Sequence, residues 1–151
     1  MKDLQNTDKK FMELALEESK SSPCVRAERR VGCIAVKNGK IISKCANGAF
    51  GKMPPCSELG FCIRTKMGIP SGERLEYENC VHAEQRMICE AARDGHSLKG
   101  ADIYVTHLPC AICIRLLITT EVARVFYKYD YPSQVSKDFA KQAGLQLIQI
   151  D

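Results

Sequence analysis

The sequence has no long apolar run, no strong imbalance of charge and no internal repeat, and each lack excludes a class of protein. No stretch approaches the roughly 18 apolar residues that a membrane span requires. Twenty-two Lys and Arg stand against 18 Asp and Glu, a net charge of +4, and no basic run exceeds Arg29-Arg30. That balance gives no sign of a nucleic-acid partner and suits a small anionic substrate. Met1 to Lys10 is polar and charged, unlike a secretory signal, so the cytoplasm is the expected location. Low-complexity tracts are missing too, and 45% apolar with 26% charged residues argues against disorder. The 151 residues suffice for one domain, 1–151, with a core of its own.

Cysteine, by contrast, is abundant. Nine cysteines, an odd number without a signal peptide, argue against a disulfide framework and for metal ligands plus buried thiols. Cys33, Cys45 and Cys89 fall in apolar, periodic stretches, where packing as small hydrophobes is expected. Cys24, Cys56, Cys62, Cys80, Cys110 and Cys113 fall in loops or at helix starts.

Thr7 to about Ser21 has helical spacing through Phe11, Leu14, Ala15 and Glu18, with Thr7 as its cap. Two short strands, Val31–Val36 and Ile41–Ala46, flank Asn38-Gly39, a strong hairpin signal. The segment 47–81 lacks periodicity and is too long for a plain connection, so it is expected to be functional or cross-linked. Beyond it, a helix from His82 to Asp94 carries apolar Met87, Ile88, Ala91 and Ala92 and stops at Gly95. A strand over 102–106, a helix over 110–119 opened by Pro109, a strand over 122–127, a helix over 133–143 and a strand over 145–150 complete the pattern. A hairpin followed by strand–helix alternation predicts an α/β fold with a mixed sheet between helices.

The chemistry concentrates in His82-Ala83-Glu84 and Pro109-Cys110-Ala111-Ile112-Cys113. Cys110 and Cys113 are three residues apart, so both sulfurs lie on one face of the first helical turn. There the positive helix end favours their thiolate, ligating form. With His82 they supply three zinc ligands and leave a fourth position open for water, as a catalytic site requires. His82 and Glu84 point to opposite sides in mid-helix, but at a helix tip the imidazole can ligate while Glu84 handles the proton of the water. The other reading is a structural zinc closed by a fourth cysteine; Glu84 would then have no use. H-x-E followed by P-C-x-x-C is the signature of zinc-dependent nucleobase deaminases.

With these motifs, the chain resembles the cytidine and deoxycytidylate (dCMP) deaminase family, and its dCMP branch in particular. The matching stretches are Val31-Gly32, Asn47-Gly48, Gly68-Ile69-Pro70-Ser71-Gly72-Glu73-Arg74, Val81-His82-Ala83-Glu84-Gln85 and Tyr104-Val105-Thr106-His107-Leu108-Pro109-Cys110. The likeness covers about residues 24–150. It implies a three-layer α/β/α cytidine-deaminase-like fold with about five strands, hydrolysis of a cytosine nucleotide (most directly dCMP to dUMP), and a homo-oligomer. Asn47 looks like the residue that bonds the sugar, the backbone at Ala83 like the one facing the pyrimidine, and Tyr131 either lines the nucleotide end or is an exposed loop aromatic. Where the family has Asn-Ala after H-A-E-x, this chain has Arg86-Met87, and its Tyr-Asn-Gly is Ala46-Asn47-Gly48. Arg86 reads either as a fork for phosphate or carboxylate or as a solvated helix-surface residue.

These departures bear on substrate more than on chemistry, and a nucleoside, purine or pterin-like ring is an alternative. A tRNA-editing deaminase ranks lower for want of a basic surface signal, and a non-catalytic zinc module is disfavoured by Glu84. Cys24, Cys56, Cys62 and Cys80 read as a second, closed Cys₄ zinc stabilising the irregular segment, or as separate thiols. The branch often carries such an extra site.

Overall fold

Alternation along the strands decides the layers. In the computed structural model, which describes residues 6–151, β1 (Gly32–Lys37) sends Cys33 and Ala35 to one face and Ile34 and Val36 to the other. β3 (Asp102–His107) and β4 (Arg124–Tyr129) repeat the division, with Ile103, Val105, Val125 and Tyr127 against Tyr104 and Phe126. Side chains one residue apart point to opposite faces of a sheet, so both faces here are apolar and each needs a helical cover.

α1 (Asn6–Ser19) supplies one cover, burying Met12 and Ala15 against Ile34, Tyr104 and Phe126. The other face is covered by α4 (Ala83–Asp94), which buries Ala83, Met87 and Ala91, and by α5 (Ala111–Thr119), which buries Leu117. α6 (Gln134–Ala143) packs beside α5. The sheet runs β2-β1-β3-β4-β5, with β2 (Lys40–Ala46) and β5 (Gln146–Gln149) at its edges. β1 is antiparallel to β2 and β3, while β3, β4 and β5 are mutually parallel. The mixed five-stranded α/β/α sandwich expected from the sequence is therefore the fold. Among the described residues, no helix is long and apolar enough to cross a membrane.

Two backbone details set the packing. Asn38 (φ 51°) and Gly39 (φ 73°) form the two-residue turn between β1 and β2, with Lys37 paired to Lys40. At Gly32, a Cβ would stand 2.0 Å from the Ala15 carbonyl oxygen, so glycine alone lets α1 lie on β1.

Several expectations shift. Met12 rather than Leu14 is the inward residue of α1; Leu14 is 45% exposed, because the buried stripe runs through Asp8, Met12 and Ala15. Thr7 lies inside the described helix instead of capping it. Cys89 is exposed rather than packed: it sits about 200° around α4 from Met87. β4 runs two residues later than the apolar pattern suggested, since Val122 belongs to the turn before it.

The 47–81 segment holds two short helices, α2 (Cys56–Leu59) and α3 (Ile63–Lys66), and a 3₁₀ turn at Leu75–Tyr77. Its ends are joined by a bridge in which the Gly48 and Val81 amides each donate to the other's carbonyl, at 3.2 and 2.8 Å. It is a closed loop laid over the sheet end where β1 begins and β3 finishes.

Ile103, fully buried at the sheet centre, tests this core. Ile103→Ala is expected to lower unfolding stability by about 2–5 kcal/mol in chemical denaturation; a loss under about 1 kcal/mol would contradict the central role of β3.

Candidate active site

Two helix N-termini converge at the floor of a cavity. His82 is the N-cap of α4, in extended backbone (φ −62°, ψ 153°), and its N–H donates to the Gln85 side-chain oxygen at 3.0 Å. Cys110 is the N-cap of α5, directly after Leu108-Pro109 at the end of β3, and Cys113 follows in the first turn. Because His82 lies just outside the helix and Glu84 just inside it, both reach the same space, as the helix-tip reading required.

His82 Nδ1 lies 3.3 Å from Cys113 Sγ and 3.6 Å from Cys110 Sγ. A tetrahedral zinc with ordinary Zn–N and Zn–S bonds spans N···S edges of about 3.6 Å, so the donors are spaced to fit it. Among the described residues, this trio is the set of three or more His, Cys, Asp or Glu ligand atoms that come within 4.8 Å of one another. Two soft thiolates and an imidazole are a donor set that favours zinc over harder cations.

The charges agree. A hydrogen bond from the Cys113 thiol, aided by His82, draws the Cys110 pKa down to about 4 despite burial. Cys113, bonded to that thiolate and buried, is pushed up as its partner is pulled down. Burial opposes charge on His82, yet hydrogen bonds to Cys110 and Glu78 raise its pKa to about 11. Glu84, only 4% exposed, is raised by burial against the pull of His82.

Asn47, Ala83 and Tyr131 line the same cavity. The Asn47 side chain accepts from the Val31 N–H at 2.8 Å and donates to the Arg29 carbonyl at 3.0 Å, which holds the rim in place. Tyr131 packs over Gly72, where a Cβ would come 3.3 Å from its hydroxyl. Arg86 is half-buried outside the cavity lining, and its Nη2 donates to the Ala49 carbonyl at 2.6 Å. Cys24, Cys56, Cys62 and Cys80 are gathered at one wall of the cavity. Cys24, Cys56 and Cys80 each feel other thiols of the group, and burial raises Cys24, Cys56 and, to about 12, Cys80. Cys62 is lowered, burial notwithstanding, by bonds from the Thr65 amide and hydroxyl and the Arg64 amide. The four do not close to the spacing of the His82 trio.

The chain matches the family described as the cytidine and deoxycytidylate deaminase zinc-binding region over residues 5–129. The chain belongs to that deaminase family. Deoxycytidylate deaminases of Schizosaccharomyces pombe and Saccharomyces cerevisiae are each 31% identical to it over 143 residues, 94% of this chain. The chain spans 43% and 44% of those two proteins' lengths. The crystal structure of dCMP deaminase from the cyanophage S-TIM5 in complex with dCMP and dUMP is 26% identical, with a TM-score of 0.80 over 97% of this chain and 98% of that one.

Sequence reasoning missed four residues here. Glu78 and Arg64 stand behind His82, and Arg29 and His107 border the cavity. Arg29 was legible as part of the Arg29-Arg30 pair; the others belong to irregular sequence or a strand end, where no period marks an inward face.

His82, Cys110 and Cys113 would hold zinc, which would supply Lewis acidity and lower the pKa of a bound water toward neutrality. Glu84, dry and adjacent, is the group that can hold and return a proton. Glu84→Gln is expected to keep zinc and fold while ammonia release falls by at least about 10²–10⁴-fold; undiminished turnover would remove Glu84 from the chemistry.

Proposed function

We propose that this chain is a hydrolytic deaminase that converts dCMP and water to dUMP and ammonia. The observation that carries the reading is the buried Glu84 carboxyl beside the His82, Cys110 and Cys113 donors in one cavity. Glu84 takes a proton from water and delivers it to the pyrimidine ring nitrogen, then passes a second to the departing amine. Ala83 presents backbone to the base, Asn47 meets the sugar, and Tyr131 closes the nucleotide end. The guanidinium of Arg29 has no ion-pair or hydrogen-bond partner among the described residues. It lies within electrostatic reach of both His107 and Tyr131, and so is free to take the 5′-phosphate. That free cation favours a nucleotide over a nucleoside. The relatives named deoxycytidylate deaminase support the same substrate.

The reading includes zinc at the trio, a second zinc held by Cys24, Cys56, Cys62 and Cys80, a homo-oligomeric assembly and a cytoplasmic location. The four thiols' shared wall supports the second metal, since closing them on one ion would cross-link the segment that forms much of the cavity. Exposed Ile112 and Leu116 on α5 support assembly, being one turn apart on its outer side.

Ammonia release across dCMP, CMP, deoxycytidine, cytosine and aminopurines checks the substrate. Activity is expected on dCMP and at least tenfold weaker on deoxycytidine, and none on any pyrimidine would overturn the proposal. Metal analysis of the pure protein is expected to find two zinc per chain and one in Cys110→Ser. A single zinc, wholly lost in that variant, would refute the second site.

A further inference from the structure

Glu78 stands outside the motif yet touches it. It is the residue that closes the Leu75–Tyr77 turn, four before His82, and its Oε2 lies 2.6 Å from His82 Nε2. Its Oε1 lies 2.5 Å from Arg64 Nη1. Arg64 in turn donates from Nη2 to the carbonyls of Pro70 and Glu73, both at 2.6 Å. The Glu78 and Arg64 side chains are 15% and 8% exposed, so water competes little for these bonds.

The consequence follows from the two nitrogens of imidazole. A neutral histidine that ligates through Nδ1 carries its proton on Nε2, and a carboxylate waiting at Nε2 selects that tautomer. Such an acceptor also fixes the ring plane and raises the basicity of the ligating nitrogen. Here the ring is held at both ends: Nε2 toward Glu78, and Nδ1 toward Cys113 and Cys110. Arg64 occupies the second Glu78 oxygen and so prevents the carboxylate from rotating away.

We propose that Glu78 is a positioning residue of the metal centre, locking His82 with its Nδ1 lone pair toward the thiolates, and that Arg64 holds Glu78 for this task. The proposal rests on zinc being held by His82, Cys110 and Cys113. Through Arg64 it also ties the metal ligand to the Pro70–Glu73 turn, which carries Ser71 to the cavity wall. Order in the irregular segment and order at the metal are then one property.

The test compares the parent chain with Glu78→Ala and Glu78→Gln, measuring zinc affinity by competition with a chromophoric chelator. The zinc lost in Cys110→Ser identifies the metal of this site. Glu78→Ala is expected to bind it roughly 10- to 100-fold more weakly. Glu78→Gln, whose amide oxygen still accepts from Nε2–H, is expected to lose less. Nitrogen-15 spectra of the zinc-loaded chains add a reading that a merely structural ion pair would not move. The parent is expected to show a His82 Nε2–H protected from exchange, and Glu78→Ala to lose that protection. If Glu78→Ala fails to fold, the Gln variant carries the comparison. Zinc affinity within twofold of the parent, with an unchanged imidazole spectrum, would overturn the positioning role. A parent with no zinc at the trio would instead overturn the reading beneath it.

Discussion

Everything at the working end of this protein depends on bringing two helix N-termini together around one small set of electron-pair donors. The first turns of α4 and α5 present unpaired N–H groups and a partial positive charge. Between them stand a thiolate, a second sulfur and an imidazole about a tetrahedral edge apart, with Glu84 buried alongside. Such a set, dry and rich in electron pairs, is held together most effectively by a cation at its centre. The sheet makes the meeting possible: β3 delivers Cys110 from its end, and the Gly48–Val81 bridge delivers His82.

The grouping of the donors was legible because it is local. Three-residue spacing on a helix and a His-x-Glu at a helix tip translate directly into shared faces, so His82, Glu84, Cys110 and Cys113 were nameable from the chain alone. The hairpin was equally plain, since Asn38 and Gly39 are residues that tolerate positive φ. Errors arose where neighbours in space decide. Cys89 shares a helix with buried Met87, but lies on the exposed side of α4. Leu14 has the right hydrophobicity and the wrong angle, and Met12 takes its place over the sheet. The contact of Arg86 with the Ala49 carbonyl is likewise one that no periodicity announces.

Glu78 and Arg64 mark the deeper limit. They lie 14 residues apart in sequence without regular period, and their partnership exists only once the segment folds back on itself. A charged pair buried in an irregular stretch looks, in one dimension, like any solvated loop. In three dimensions the pair shows the reverse: the loop is organised around those charges, and its backbone carbonyls are aimed at a guanidinium.

Tyr131 and Gly72 give the cavity a divided roof. The tyrosine arrives from the loop after β4, while Gly72, at φ 80°, arrives from the 47–81 segment and leaves room for the phenol by having no side chain. The sheet side of that roof hangs from β4, whereas the segment side is fastened by the Gly48–Val81 bridge, by the Ser57 amide to the Pro23 carbonyl and by Glu78 to His82. Two tasks are thereby joined in one stretch of chain. A change in the segment would therefore reshape the cavity and loosen the hold on His82 together, because one stretch of backbone does both.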